Sequence, residues 1–151
     1  MRPPVILVGV DGSPASRDAL RWALKEAARS GAEVEAMLAW QRDAAFVPST
    51  AMGLNPYGEK PQRHPAHELH NLVRDVRAEI PDAPDVTEVT IVGDASHELS
   101  RASRFADILV VGTHGYGPLA EVFMGGVAAD CLRHAECPVV VIPPNARRGD
   151  L

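Results

Sequence analysis

A glycine-rich stretch lies near the C-terminus: Val110-Val111-Gly112-Thr113-His114-Gly115-Tyr116-Gly117, continuing to Met124-Gly125-Gly126-Val127-Ala128. Three of its glycines, Gly112, Gly115 and Gly125, follow the spacing G-x2-G-x9-G. An apolar run ends at the first of them, and a helix is predicted to begin at the last. Glycine lets the backbone approach a ligand closely, and the N–H groups at a helix N-terminus bind anions. The stretch therefore predicts a phosphate-binding loop between a strand and a helix.

A second segment of this kind follows the first apolar run. Residues 5–10 are apolar and rich in β-branched side chains, which is typical of a strand buried on both faces. Asp11, Gly12 and Ser13 come next, with Ser13 as a candidate N-cap and Pro14 at the first helical position. Asp11 could accept bonds from ribose hydroxyls or could simply cap the first helix, and both hypotheses stay open here.

Strand and helix patterns alternate along the chain. The patterns predict strands at 5–10, 33–40, 86–92, 106–111 and 138–142, and helices at 14–30, 66–80, 95–104 and 126–135. This order predicts one α/β domain with a parallel sheet and right-handed crossovers. Ligands of such sheets bind beyond the carboxyl ends of the strands, where the strand order reverses. If the first and fourth strands are neighbours, the two segments above share one site.

Residues 43–65 interrupt this alternation, because prolines and glycines recur among small side chains and no period survives. A segment of this length is either a functional lid or an insertion without a role. We expect the domain to span 1–146, including this insertion, and to be followed by a polar tail at 147–151.

The bulk properties exclude several classes of function. The chain has 151 residues and a formal net charge of −5, so no basic field favours nucleic acid or an anionic membrane. No apolar run is long enough to span a bilayer, and the N-terminus lacks the features of a signal peptide. Cys131 and Cys137 form no disulfide framework and are expected to be small apolar groups. A cytoplasmic protein is therefore expected.

The polar residues indicate no catalytic constellation. His64, His67 and His70 are spaced by three, but surface histidines are favoured over a metal site. His114 could touch phosphate or point to solvent. The glycine stretch has no lysine, unlike a P-loop, so turnover is not expected as the main purpose, although slow magnesium-dependent hydrolysis stays open.

These segments together resemble the universal stress protein family over nearly the whole chain. The resemblance is carried by Val8-Gly9-Val10-Asp11-Gly12-Ser13, Gly93-Asp94-Ala95, Val110-Val111-Gly112-Thr113-His114-Gly115 and Arg133-His134-Ala135-Glu136-Cys137-Pro138-Val139-Val140-Val141-Ile142. It implies a doubly wound five-stranded parallel sheet in the order 3-2-1-4-5, with helices on both faces. It also implies ATP or another adenine nucleotide (AMP or ADP), with or without magnesium, at the switch point, and in many members a homodimer.

The resemblance also implies which residues bind the nucleotide. The ribose and adenine would face the segment after the first strand, the base would lie beside the end of the second, and the phosphates would follow the glycine stretch. The implied set is Asp11, Gly12, Ser13, Ala39, Val111, Gly112, Gly115, Gly125, Gly126, Val127 and Ala128.

The chain departs from the family pattern at two positions. ATP-binding members usually carry Ser or Thr after the third glycine and again two residues later, whereas this chain has Gly126 and Ala128. A hydroxyl-to-phosphate bond contributes about 1.5–3 kcal/mol, so triphosphate binding is expected to be weakened and AMP or ADP becomes an alternative.

The last predicted strand is apolar and would lie at the sheet edge in this strand order. An exposed apolar edge is a liability unless it is paired or covered. A homodimer is therefore expected through Val139, Val140, Val141 and Ile142.

The expected function is that of a stress-response regulator that acts by binding an adenine nucleotide. Nucleotide occupancy would then order the glycine stretch and change a surface that a partner recognises. The alternatives are a nucleotide-independent dimeric interaction module and a slow ATP hydrolase on the same fold.

Overall fold

The computed structural model describes residues 2–41, 64–113 and 125–143, and all that follows concerns these residues. One parallel sheet holds five strands in the order β3-β2-β1-β4-β5, which confirms the predicted fold class and strand order. The strands are β1 (Val5–Gly9), β2 (Glu33–Trp40), β3 (Val86–Val92), β4 (Ile108–Gly112) and β5 (Val139–Ile142). The helices are α1 (Pro14–Ser30), α2 (Pro65–Arg77), α3 (Ala95–Ala102) and α4 (Gly126–His134), with a 3₁₀ turn at Ser103–Phe105.

Several boundaries differ from those predicted. Helix α2 begins at Pro65 rather than at residue 66, because proline suits the first helical position and the His64 ring accepts a bond from the Ala66 N–H. Strand β4 begins two residues later than predicted, because a 3₁₀ turn ends at Phe105. Most of the predicted 43–65 insertion, together with Gly115, His114 and the polar tail, lies outside the described residues.

The sheet separates two apolar layers. Helices α1 and α2 pack on one face, where one side of α1 is buried (Ala19, Leu20, Ala23, Leu24 and Ala27). Helices α3 and α4 lie on the other face, and a smaller layer there includes Leu99, Ala128 and Cys131. The helices thus cover both faces, as expected of a doubly wound sheet.

The order of strands brings the ends of β1 and β4 together. These strands pair in parallel with Val8 opposite Val110, so their carboxyl ends lie at the same edge of the sheet. Strand order reverses between them, since β2 lies beyond β1 and β5 beyond β4. The segment after β1 and the segment after β4 therefore begin side by side.

Helix α1 packs very closely against the end of β4. A Cβ atom at Gly112 would lie 2.8 Å from the Ala15 Cβ and 2.9 Å from the Ala15 backbone. Only glycine lets the strand and the first turn of the helix approach this closely. Gly112 therefore has a packing role in addition to any contact with a ligand.

Candidate functional site

A cavity of about 290 Å³ opens at the carboxyl ends of β1 and β4. It is lined by residues from both predicted segments, from β2, and from α3 and α4. The predicted site residues among them are Asp11, Ser13, Ala39, Val111, Gly112, Gly125, Gly126, Val127 and Ala128. The structure thus brings together segments separated by about a hundred residues in the sequence, at the switch point where they were expected.

One predicted residue that the structure describes does not line this cavity. Gly12 lies in a neighbouring cleft beside α2, which shares Val10 and Asp11 with the main cavity. Gly115 is outside the described residues.

One wall of the cavity is apolar and includes residues that the sequence analysis did not select. Met37 lies two positions before Ala39 in β2, so strand alternation puts both side chains on one face. That period could have identified Met37 from the sequence. Leu99 reaches the cavity from α3, which no local pattern could have indicated. A wall of this kind suits the flat face of an aromatic base.

The segment after β1 is held by short hydrogen bonds. The Asp11 carboxylate accepts the Ser13 N–H through Oδ1 at 2.8 Å, and the Ser13 hydroxyl accepts the Ser16 N–H at 3.2 Å. Ser13 is therefore the N-cap of α1, as predicted, and its side chain is only 1% exposed. Asp11 is exposed, and it is not the residue that caps the helix.

The N-terminus of α4 is open. Its N-cap is Gly125, which has no side chain, whereas side chains of Ser13, His64 and Asp94 cap the other three helices. The first bond within the helix runs from the Ala129 N–H to the Gly125 carbonyl, at 3.1 Å. The three preceding N–H groups therefore have no partner within the helix, and their residues line the cavity.

Backbone hydrogen bonds join the two described ends of the glycine stretch, Thr113 and Gly125, to each other and to the sheet. The Gly125 N–H donates to the Thr113 carbonyl at 2.6 Å, and the Thr113 N–H donates to the Ile142 carbonyl at 3.0 Å. These bonds place the start of α4 against the ends of β4 and β5.

The two residues that replace the family's hydroxyls differ in their surroundings. Gly126 is exposed, and a Cβ there would meet no atom of the described residues within 4 Å. Ala128 is buried in the layer that contains Leu99 and Cys131. A side chain can therefore be added at residue 126 at little steric cost, but not as readily at residue 128.

A polar bridge joins α3 to α4 beside the cavity. Asp94 caps α3 by accepting the His97 N–H at 3.0 Å, and the Ser96 hydroxyl donates to the same carboxylate at 2.7 Å. The Ser96 hydroxyl also lies 3.3 Å from the Asp130 carboxylate of α4. The bonds from Ser96 and His97 hold the pKa of Asp94 below its ordinary value. Ser96 thus supports the cap that Asp94 provides.

The remaining titratable groups indicate structural roles. His64, His67 and His70 are all exposed, and the His70 ring lies 3.2 Å from the Glu88 carboxylate. The described residues contain no group of three metal-binding side chains. Burial raises the pKa of the Cys131 thiol to about 11 and also raises that of Cys137, so neither is activated as a nucleophile.

This combination of a doubly wound sheet and a switch-point cavity beneath an open helix N-terminus is typical of small-ligand-binding α/β domains. The sequence model of the universal stress protein family matches residues 4–143. The chain belongs to the universal stress protein family, as its resemblance implied.

The chain is similar to proteins of known name and structure. A universal stress protein of Mycolicibacterium smegmatis is 33% identical over 93% of this chain and 46% of the relative. A crystal structure of a universal stress protein in complex with cAMP has a TM-score of 0.65 at 26% identity, covering 96% of this chain and all of that one. The universal stress protein UspA from Lactobacillus plantarum has a TM-score of 0.70 at 24% identity, covering 94% of this chain and 99% of that one.

The chain spans about half the length of most of the curated relatives that it matches. None of the helices in the described ranges is both long and apolar enough to cross a membrane.

Proposed function

We propose that the protein binds an adenine nucleotide in the cavity between the segment after β1 and the start of α4. The observation that carries the proposal is the open N-terminus of α4, which faces a cavity with an apolar wall and one carboxylate, Asp11. Free N–H groups at a helix N-terminus attract phosphate, and an apolar wall accepts a base. The cAMP complex of a relative at 26% identity supports the choice of adenine.

The chemistry of the cavity suggests an orientation for the ligand. The base would lie against Met37 and Ala39, and the ribose hydroxyls would donate to Asp11. The phosphate would then reach the N–H groups of Gly126 and its neighbours. The absence of hydroxyls at residues 126 and 128 favours one or two phosphates over three, since N–H groups alone discriminate poorly between them.

Magnesium would arrive with the phosphates rather than bind to the protein first. Asp11 is the one carboxylate among the described lining residues, and its Oδ1 already accepts a backbone N–H. A hard cation such as Mg²⁺ prefers several oxygen ligands, which the phosphates of ADP or ATP would supply.

Titration calorimetry and thermal unfolding with AMP, ADP and ATP test this proposal. A ligand that binds the native state at a hundred times its dissociation constant adds about 2.7 kcal/mol to the free energy of unfolding. We expect heat and a raised melting temperature with AMP in the wild type. If none of the three nucleotides gives either signal at millimolar concentration, the proposal is wrong.

A single substitution separates binding from folding. Gly126→Asp adds a carboxylate where the phosphate is expected, and the space around residue 126 is open. An acidic residue in the first turn of a helix favours stability, so the variant should fold while losing AMP binding through charge repulsion. Gly126→Asn has nearly the same shape without the charge, and it should keep most of the affinity.

The protein would act by binding rather than by turnover. Mass spectrometry of ligand released from purified protein distinguishes this function from a nucleotide-independent interaction module. Steady phosphate release from ATP with Mg²⁺ would favour a hydrolase instead. A cytoplasmic location stays a prediction.

We also propose that β5 pairs with β5 of a second copy. Among the described residues β5 pairs only with β4, and Val139, Val140 and Val141 are half-buried. The carbonyls of Pro138 and Ile142 accept bonds from Leu109 of β4 and from Thr113 just after it. Alternation therefore puts the N–H groups of Val139 and Val141 on the free edge. A free apolar edge favours self-pairing.

Val141→Pro tests this pairing because proline removes a donor on the free edge and its ring obstructs a partner strand. We expect the wild type to scatter light as a dimer at micromolar concentration and the proline variant to shift to monomer. Val141→Ala is the control, since it loses similar packing but keeps the N–H and should remain dimeric. A monomeric wild type would refute the proposal.

A further inference from the structure

We propose that Ser16 is a positioning residue that holds the Asp11 carboxylate in place to bind ribose. Ser16 was not selected from the sequence, and the hydroxyl that caps α1 belongs to Ser13 rather than to Ser16. The inference rests on the proposed nucleotide-binding function and names the residue on which the recognition of the sugar depends.

Four hydrogen bonds form a closed ring among three residues. The Asp11 N–H donates to the Ser16 hydroxyl at 3.2 Å, and that hydroxyl donates to the Ser13 carbonyl at 3.0 Å. The Ser16 N–H donates to the Ser13 hydroxyl at 3.2 Å, and the Ser13 N–H donates to Asp11 Oδ1 at 2.8 Å. Ser16 contributes to three of the four bonds, so it links the backbone of Asp11 to the first turn of α1.

The ring leaves one carboxylate oxygen for a ligand. Asp11 Oδ1 is occupied by the Ser13 N–H, and within the described parts of the chain Oδ2 has no hydrogen-bond partner. Asp11 is exposed at the cavity, whereas Ser16 is only 5% exposed. Water therefore cannot easily replace the Ser16 hydroxyl, and its removal would free the Asp11 backbone to move.

The effect of Ser16 is predicted to fall on the ribose rather than on the phosphate. Asp11 Oδ2 would accept from a ribose hydroxyl, whereas the phosphate would bind at α4 on the other side of the cavity. Loss of the Ser16 hydroxyl should therefore weaken AMP more than an analogue that lacks both ribose hydroxyls. A purely structural role would weaken both ligands equally.

Ser103 offers a matched control. Its side chain is fully buried, its hydroxyl donates to the carbonyl three residues earlier at 2.6 Å, and it accepts the Glu136 N–H at 2.8 Å. The Ser16 hydroxyl has the same kinds of partner, one carbonyl three residues earlier and one backbone N–H from outside its own helix. Ser103 does not line the cavity, so Ser103→Ala should cost stability without changing ligand selectivity.

The experiment measures dissociation constants of AMP and 2′,3′-dideoxy-AMP by calorimetry for the wild type, Ser16→Ala and Ser103→Ala. We expect the wild type to bind AMP more tightly than the dideoxy analogue, and Ser16→Ala to lose about three- to tenfold in AMP affinity. The ratio of the dideoxy-AMP to the AMP dissociation constant should therefore fall toward one in Ser16→Ala. Ser103→Ala should keep the wild-type preference. Ser16→Cys, whose thiol is a weak hydrogen-bonding group, gives the same comparison if Ser16→Ala does not fold.

The Asp11→Ala background tests whether Ser16 acts through Asp11. Adding Ser16→Ala to Asp11→Ala should then leave AMP affinity unchanged. An equal loss in both backgrounds, or a wild-type preference for AMP that Ser16→Ala leaves intact, would overturn the inference. Equal affinities for the two ligands in the wild type would also overturn it while the proposed function stands, whereas no binding of AMP at all would refute the proposed function.

Discussion

Two helices, α1 and α4, present their N-termini to the same cavity, and they do so in opposite ways. In α1 the first residue is Pro14, which has no N–H, and the Ser16 N–H is already bound by the Ser13 side chain. In α4 the cap is Gly125, and no side chain of the described residues caps the helix. Both helices begin at the switch point of the sheet, yet α4 has three N–H groups without a partner among the described residues, whereas α1 has one, that of Ala15.

The difference is consistent with the two separate tasks that the proposed function gives to the two sides of the cavity. The closed end of α1 is held by hydrogen bonds and offers a carboxylate, which suits hydroxyl groups of a neutral sugar. The open end of α4 offers N–H groups and the positive end of the helix dipole, which suits an anion. A ligand that carries a sugar and a phosphate satisfies both sides, which is why we favour a nucleotide.

The largest expected effect comes from adding a methyl group at Gly112, which packs against the start of α1. Adding one at Gly126, at the start of α4, is the matched comparison. Gly112→Ala would put a Cβ within 3 Å of the Ala15 backbone, which cannot move without displacing α1. We expect a loss of about 1–3 kcal/mol in the free energy of unfolding, measured by urea denaturation. Gly126→Ala is the counterpart at α4, where no atom of the described residues lies within 4 Å of the added Cβ, and the stability of this variant should be unchanged or slightly raised. Equal losses of unfolding free energy in the two variants would contradict the difference in packing between Gly112 and Gly126.

A smaller effect is expected when α4 receives a hydroxyl. Gly126→Ser puts the group in open space, from which it can donate to a phosphate beyond the first. The ratio of the AMP to the ATP dissociation constant should rise about tenfold, equivalent to about 1.4 kcal/mol, because AMP has no second phosphate to accept this bond. An unchanged ratio in a folded variant would show that the phosphates beyond the first do not reach residue 126.

Residue 128 should respond less favourably to the same change. Ala128 is buried, so Ala128→Ser places a hydroxyl in an apolar layer and should lower stability. We therefore expect Gly126→Ser to carry most of any gain in ATP affinity in a double variant. Calorimetry on the two single variants and the double variant separates the contributions.

The smallest expected effect concerns the N-cap of α3. This cap is the charged side chain of Asp94, whereas the N-cap of α1 is the neutral side chain of Ser13. The pKa of Asp94 is lowered in the folded state, chiefly by the Ser96 hydroxyl, so the stability it adds is present above its unfolded pKa. That contribution is lost as the pH falls through the folded value. Asp94→Ala should cost about 0.5–1 kcal/mol at pH 7, and the difference should shrink below about pH 4.

Ser13→Ala is the control for this pH dependence. Its hydroxyl caps α1 without titrating, so the loss of stability should be the same at pH 7 and at pH 3. Thermal unfolding of both variants at the two pH values makes the comparison. A pH-independent cost for Asp94→Ala would contradict a role for its charge.

Much of the fold could be predicted from the sequence because residues near the ends of strands and helices indicate where these elements begin and end. Apolar runs indicated the strands, and Ser13 with Pro14 correctly indicated the start of α1. Some boundaries were predicted wrongly because the sequence pattern does not distinguish an α-helical turn from a 3₁₀ turn. The third helix is an example, since a 3₁₀ turn that ends at Phe105 replaces its last predicted turn. The His64 cap was missed because histidine is not a usual N-cap residue.

The lining of the cavity could be predicted in part for the same reason, while its binding of a ligand stays a prediction. Glycines at strand ends and before a helix can be recognised in the sequence alone. Nine of the eleven residues expected from the family resemblance line the cavity. Leu99 and Ser16 were missed because their roles depend on which helix packs over which strand and on bonds to other residues.

The sequence by itself determined the alternation of strands and helices, and with it the parallel sheet, because apolar periodicity and turn chemistry act over a few residues. Only the tertiary structure decided that α1 has a closed end and α4 an open one at a shared cavity. That distinction depends on the burial of Ser13 and Ser16 and on the open space around Gly126, and these follow from the packing of distant segments.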